Sequence, residues 1–198
     1  MLSSQQLELP ERHPRRFENA RDGFCHVQLM QGDTYVTDKP NEVLVTVLGS
    51  CIAACIRDTR LGLGGMNHFL LPHGSDTGRD ARCYGINAME LLINELLKRG
   101  ARRERLQAKI FGGANVMAGL SDIGGRNAEF AEQFLRDEGI ALIAACTGGT
   151  RARKIQFWPN TGRARQSLVE DNIASIAARE LREQNTSKPT TSGDVELF

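Results

Sequence analysis

Val43-Leu44-Val45-Thr46-Val47-Leu48-Gly49-Ser50-Cys51-Ile52-Ala53-Ala54-Cys55-Ile56-Arg57-Asp58-Thr59-Arg60-Leu61-Gly62-Leu63-Gly64-Gly65-Met66-Asn67-His68-Phe69-Leu70-Leu71-Pro72 decides the fold. Three apolar runs, 43–48, 52–57 and 65–71, the first two carrying β-branched residues, are too short for helices, so each reads as a strand. Asp58-Thr59-Arg60-Leu61-Gly62 supplies turn chemistry between the second and third, which predicts a hairpin. A turn centred on Thr59 and Arg60 places Cys51 directly opposite His68. Residues opposed in an antiparallel pair share a face with Cβ atoms about 4.5–5.5 Å apart, within reach of a thiol–imidazole hydrogen bond. Gly62, Gly64 and Gly65 allow a longer turn, and a slip of one residue puts the two side chains on opposite faces.

The pair matters because a thiol titrates near 8.5 and becomes an attacking thiolate when an imidazole takes its proton. Gly49-Ser50 sets Cys51 at the end of a buried strand, where nucleophiles are presented with backbone N–H groups nearby. Singly, each residue has a plainer reading, Cys51 as a small core hydrophobe and His68 as a satisfied core histidine. Zinc is the rival use of Cys25, His26, Cys51, Cys55, His68 and His73. The spacing argues against it, because Cys51 and Cys55 on one strand stand roughly 13 Å apart at about 3.3 Å per residue, and the chain has no C-x-x-C. No metal and no cofactor is expected.

Thr46-Val47-Leu48-Gly49-Ser50-Cys51, Gly65-Met66-Asn67-His68-Phe69-Leu70-Leu71-Pro72, Lys109-Ile110-Phe111-Gly112-Gly113-Ala114 and Ile123-Gly124-Gly125-Arg126-Asn127 together resemble, in that order, the chemoreceptor glutamine deamidase family, CheD. The resemblance covers roughly residues 25–165, and several ordered motifs are far more specific than any one. It implies an enzyme of bacterial chemotaxis that hydrolyses side-chain amides of particular glutamines on the cytoplasmic helices of chemoreceptors, releasing glutamate and ammonia. It implies Cys51 as nucleophile, His68 as base and Thr46 as the residue that orients the histidine; from the residues alone, Thr46 also reads as strand filler. The same thioester route admits receptor methyl esters. Family members also bind a chemotaxis phosphatase, so the alternative is a non-catalytic adaptor that docks that phosphatase or the receptor, for which Cys51 would be dispensable. The chain departs from the family at Cys146-Thr147-Gly148-Gly149-Thr150-Arg151-Ala152-Arg153-Lys154, where Cys146 and Ala152 are the substitutions.

Around these motifs, Gly112-Gly113-Ala114 lacks the spacing and lysine of a phosphate-binding loop and reads as close backbone packing. Asn127 reads as the N-cap of a helix over 128–138 ended by Gly139. Ile86, Met89, Ile93 and Leu96 recur at helical spacing, with Gly100 after the last turn, and Ser167-Leu168-Val169-Glu170 reads as a capping box for a third helix towards Leu181. Further strands are expected at 108–111, 140–145 and 154–158. The mixture predicts an α+β fold, a single-domain sandwich of mixed β-sheet with helices packed on the outside. A deamidase domain is expected over 23–182, with a flexible N-terminal extension over 1–22 and a flexible C-terminal tail over 183–198.

With 198 residues, 40% of them hydrophobic, the chain can bury one good core. A net charge of +1 means that the arginine-rich stretches 101–105 and 151–154 are balanced elsewhere, so nucleic acid is not an expected partner. Those stretches read as solvated helix ends and loops, or as a local basic rim for acidic receptor helices. No apolar run approaches a membrane span, the N-terminus lacks a signal pattern, and five cysteines form no regular framework. A cytoplasmic protein with no membrane insertion is expected.

Overall fold

The computed structural model describes residues 14–72, 78–116 and 122–169. Its central hairpin joins β5, Ile52–Asp58, to β6, Gly64–Asn67. The pairing is Cys55↔Met66, Ile56↔Gly65 and Arg57↔Gly64, continued by an Ile52↔Phe69 bridge. The turn therefore centres one residue later than the sequence predicts, with Gly62 in the left-handed region at φ 64°. Asp58 causes the shift. Its buried carboxylate accepts from the N–H groups of Arg60 at 2.8 Å and Leu61 at 3.2 Å, which sets the loop start at Thr59. The same carboxylate takes Arg102 N–H at 3.1 Å and the Arg105 guanidinium at 2.9 and 2.8 Å, tying the loop to the approach of the next strand.

Two sheets stack on this hairpin. One has the order β3-β6-β5-β7-β8, with β3 at Thr34–Thr37, β7 at Leu106–Gly112 and β8 at Ala141–Thr147. The other runs β1-β2-β4-β9-β10, with β1 at Arg15–Asn19, β2 at Phe24–Gln28, β4 at Glu42–Leu48, β9 at Arg153–Trp158 and β10 at Arg163–Leu168. Both sheets are mixed, because β2 pairs with β4 and β7 with β8 in parallel while the other ladders are antiparallel. Alternation sorts the side chains into two layers of core. Leu44, Leu48, Ala53, Cys55, Met66, Leu70, Ile155 and Phe157 fill the space between the sheets. Ile52, Ala54, Ile56 and Phe69 project the other way, against α1, Gly78–Lys98, and α2, Ile123–Asp137. The fold is thus the expected α+β sandwich, with its helices covering one sheet.

Some expectations change. β1 falls inside residues 1–22, read from sequence as loosely ordered, and its ladder to β2 orders Arg15–Asn19. β6 ends at Asn67, short of the expected 71, because the buried Asn67 side chain interrupts the ladder: its Oδ1 accepts Ala54 N–H at 3.0 Å and its Nδ2 donates to Ala88 O of α1 at 2.9 Å. Ser167 and Leu168 belong to β10, and the third helix towards Leu181 lies outside the described residues.

Burial opposes ionisation of Asp58, but the hydrogen bonds from Arg60, Arg102, Arg105 and Leu61 outweigh it and hold its carboxyl below the ordinary carboxylate value. A lowered folded-state pKa contributes stability that is full above the unfolded value of about 3.9 and disappears as pH falls below it. Asp58→Asn should therefore flatten the loss of stability below about pH 4, and Asp58→Ala, which strands Arg105, should cost about 3 kcal/mol at neutral pH. Urea unfolding across that pH range checks both.

Candidate active site

Between the sheets, at the end where the chain leaves β4 and enters β5, the sequence-selected residues come together. Thr46 belongs to the β4 face that carries Leu44 and Leu48, while Cys51 and His68 belong to the facing side of the other sheet, with Ala53, Cys55, Met66 and Leu70. All three are buried: Cys51 is 0%, Thr46 1% and His68 3% exposed. The observed register sets Ala53, not Cys51, opposite His68, so the direct opposition read from sequence is off by two residues. A two-residue shift preserves the face. Cys51 and His68 become diagonal neighbours, for which Cα atoms lie roughly 7–8 Å apart with Cβ atoms closer.

Thr46 Oγ1 lies 2.9 Å from Leu29 O and 2.9 Å from His68 Nδ1. A hydroxyl has one hydrogen to give, and a backbone carbonyl can only accept, so Thr46 donates to Leu29 O and accepts from His68 Nδ1–H. That fixes the tautomer: in the neutral imidazole the proton is on Nδ1 and the basic lone pair is on Nε2. The His68 backbone is pinned as well, its N–H donating to Asp33 O at 3.0 Å and its carbonyl accepting Gly32 N–H at 2.7 Å.

The Gly49-Ser50-Cys51 turn is held by bonds from the loop after β7 and from α2. Gly49 O accepts Ala114 N–H at 2.8 Å, and Cys51 O accepts Gly113 N–H at 2.8 Å. Ser50 O accepts the Asn127 side-chain Nδ2 at 2.9 Å. These bonds explain the Gly112-Gly113 pair as close packing rather than a phosphate cradle. Both glycines have positive φ, 115° and 64°; a Cβ on Gly112 would lie 2.1 Å from Cys51 O, and one on Gly113 would lie 2.7 Å from Gly124 O in α2. The loop after β8 supports the same segment, Gly148 N–H donating to Gly112 O at 3.0 Å and Asn115 N–H to Gly149 O at 2.7 Å. Arg153 holds that loop by donating to Cys146 O at 2.7 Å and to Gly148 O, so the departures Cys146 and Ala152 lie next to the clamp, with Ala152 buried.

Asn127 corrects a sequence expectation. Asp122 is the N-cap of α2, its carboxylate accepting Gly125 N–H at 2.8 Å, and Asn127 sits inside the helix. Its buried carboxamide bridges the two halves of the site, Nδ2 on Ser50 O and Oδ1 accepting Leu71 N–H at 3.1 Å. Sequence reading gave it only a capping role. Gln31 went unnoticed altogether: the Cys51 thiol donates to its Oε1 at 3.4 Å. Tyr84 of α1 lies nearby, its hydroxyl pushed above the ordinary value by burial and then by the charge of Cys51.

Among the described residues no three of His, Cys, Asp and Glu converge as metal ligands. His26 bonds Asp22 at 2.9 Å, and His73 lies outside the described residues. All five cysteines, including Cys25, Cys83 and Cys146, are thiols rather than disulfides. No described helix is long and apolar enough to cross a membrane.

Asp and Asn cap helices about equally well, whereas only Asn can both donate to Ser50 O and accept from Leu71. Asn127→Asp should therefore destabilise the protein by about 2–3 kcal/mol at neutral pH, as much as Asn127→Ala, because a buried carbonyl loses its donor. Chemical denaturation measures this; a loss under about 0.5 kcal/mol for Asn127→Asp, the range of an ordinary surface change, would overturn the bridging role.

Comparison with known proteins places the chain in a family. A family model described as CheD chemotactic sensory transduction matches residues 70–167. A protein of Caulobacter vibrioides (strain NA1000 / CB15N) is 56% identical over 181 residues, covering 87% of this chain and 92% of its own length. Relatives in Agrobacterium fabrum (strain C58 / ATCC 33970) and Rhizobium meliloti (strain 1021) are 53% and 51% identical, each over 87% of this chain and over 96% and 95% of their own lengths. All three carry the name "Probable chemoreceptor glutamine deamidase CheD". With identity above half along most of both chains, this chain belongs to the CheD family.

Proposed function

We propose that this chain is a chemoreceptor glutamine deamidase, a protein-glutamine amidohydrolase in which Cys51 is the nucleophile, His68 the general base and acid, and Thr46 the residue that orients His68. The observation that carries the reading is the Thr46 hydroxyl, which by donating to Leu29 O takes its second hydrogen bond from His68 Nδ1 and leaves the basic lone pair on Nε2. A base in that tautomer, on the same face as a buried thiol, is what amide hydrolysis through a thioester needs.

The steps follow. His68 Nε2 takes the Cys51 thiol proton, and the thiolate attacks the glutamine Cδ. The tetrahedral oxyanion is met by backbone N–H groups of the clamped turn, that of Cys51 and a neighbour. His68 returns its proton to the departing nitrogen, which leaves as ammonia, and the acyl group remains on sulfur. A water entering the vacated place gives a proton to His68 and attacks the thioester, releasing glutamate and regenerating the thiol. No cofactor enters this cycle. A glutamyl methyl ester would give the same thioester with methanol as leaving group. The substrate is the helical cytoplasmic part of a methyl-accepting chemoreceptor, which places the enzyme in the cytoplasm, with a chemotaxis phosphatase as a further partner at the same surface.

The test is conversion of glutamine to glutamate in a purified cytoplasmic receptor fragment, followed by peptide mass spectrometry. Cys51→Ala should abolish conversion, and His68→Ala should lower kcat by about a hundredfold or more. Thr46→Val, which removes one hydrogen bond to His68, should lower kcat about five- to tenfold with KM nearly unchanged. Conversion that survives in Cys51→Ala would sink the mechanism and favour an adaptor role.

A further inference from the structure

The thiol at the centre of this site is not exposed to solvent, and the group that meets it is itself a glutamine. Cys51 is 0% exposed, whereas Gln31, whose Oε1 accepts the thiol hydrogen at 3.4 Å, is only partly buried. The bond thus links the buried sulfur to a side chain that reaches solvent. Its position is built rather than incidental, because the turn that carries it is bonded to both residues that flank the sulfur. Leu29 O holds the Thr46 hydroxyl, Gly32 N–H donates to His68 O at 2.7 Å, and Asp33 O takes His68 N–H at 3.0 Å. Within the turn, Asp33 N–H donates to Met30 O at 3.0 Å and the Asp33 carboxylate accepts Met30 N–H at 2.8 Å. The Tyr84 hydroxyl is near the same turn, 3.9 Å from where a Cβ on Gly32 would stand.

Resting on the mechanism proposed above, we propose that Gln31 is an internal substrate mimic: its side-chain carboxamide occupies the subsite for the receptor glutamine amide and is displaced when that glutamine enters. The bond itself explains why Gln31 is held and not hydrolysed. A thiol donating to a carbonyl oxygen approaches along the oxygen lone pairs, near the plane of the amide. Attack on Cδ requires sulfur above that plane. With its one hydrogen given to Oε1, the thiol has none to pass to His68, so the proton transfer that makes the thiolate awaits departure of Gln31. The resting enzyme thus keeps a buried polar thiol satisfied and excludes other acyl compounds, and only a carboxamide able to take over the same place releases it.

An internal occupant competes with substrate and so raises the apparent KM in inverse proportion to the fraction of time it is away from the subsite. Gln31→Ala and Gln31→Ser, both too short to reach the sulfur, should lower KM for the receptor fragment about three- to tenfold with kcat little changed, the span of one ordinary hydrogen bond. Alkylation of Cys51 by iodoacetamide, followed at the Cys51 peptide, should quicken by a similar factor in the absence of receptor. In the parent protein the peptide carrying residue 31 should retain glutamine. Conversion of Gln31 to glutamate there would show a productive pose and overturn the proposal. Parent-like KM and alkylation in both variants, with Cys51→Ala inactive, would overturn the mimicry alone; activity in Cys51→Ala would remove the mechanism and the mimicry together.

Discussion

The structure turns on three carbonyls. Gly49, Ser50 and Cys51 lie where the chain crosses from one sheet to the other, a place where backbone groups lose their ladder partners. Each buried carbonyl must find a donor or cost about 1–3 kcal/mol. The donors come from two elements, Gly113 and Ala114 after β7 and Asn127 in α2. This requirement explains features that look unrelated in the sequence. The glycine pair is needed because a side chain would strike Cys51 O, and Gly124 because Gly113 O would lie 2.2 Å from its Cβ. α2 must begin at Ile123, well before the residue that reads as its cap, so that Asn127 faces inward.

A second constraint acts on His68. His68 is fixed through its ring by Thr46 and through its backbone by Gly32 and Asp33. Thr46 reaches it from the opposite sheet, so the tautomer depends on how the two sheets stack. β-branched Thr is suited to this, since its stiff χ1 holds the hydroxyl in place while its methyl fills the core.

How much of this could be read from the chain depended on where the information lay. The strands 43–48 and 52–57 were legible because they are buried on both faces and so read as continuous apolar runs. The shared face of Cys51 and His68 was legible because strand periodicity survives any even shift, but the register was not, because it is set by Asp58, whose partners include Arg102 and Arg105 far along the chain. β10, Arg-Ala-Arg-Gln-Ser-Leu, left no signal at all; it is an exposed edge strand whose order comes from its ladder with β9. Asn127 was misread because Gly124 and Gly125 depress helix propensity over the first turn, and tertiary contacts override it. Gln31 gave no local sign, since only the folded chain brings it to Cys51.

The Asn127 bridge also sets an order of events. It joins positions 77 residues apart, and β7 must already be paired with β5 for Gly113 and Ala114 to be in place. During synthesis the first half of the chain, with the thiol and the imidazole both present, therefore emerges without the clamp that shapes the turn. Closing such long loops is entropically costly and comes late in folding. The segment around Cys51 thus takes its final shape through contacts of long sequence separation, and a chain cut short before Asn127 would hold Cys51 in a turn whose Ser50 carbonyl lacks its side-chain donor.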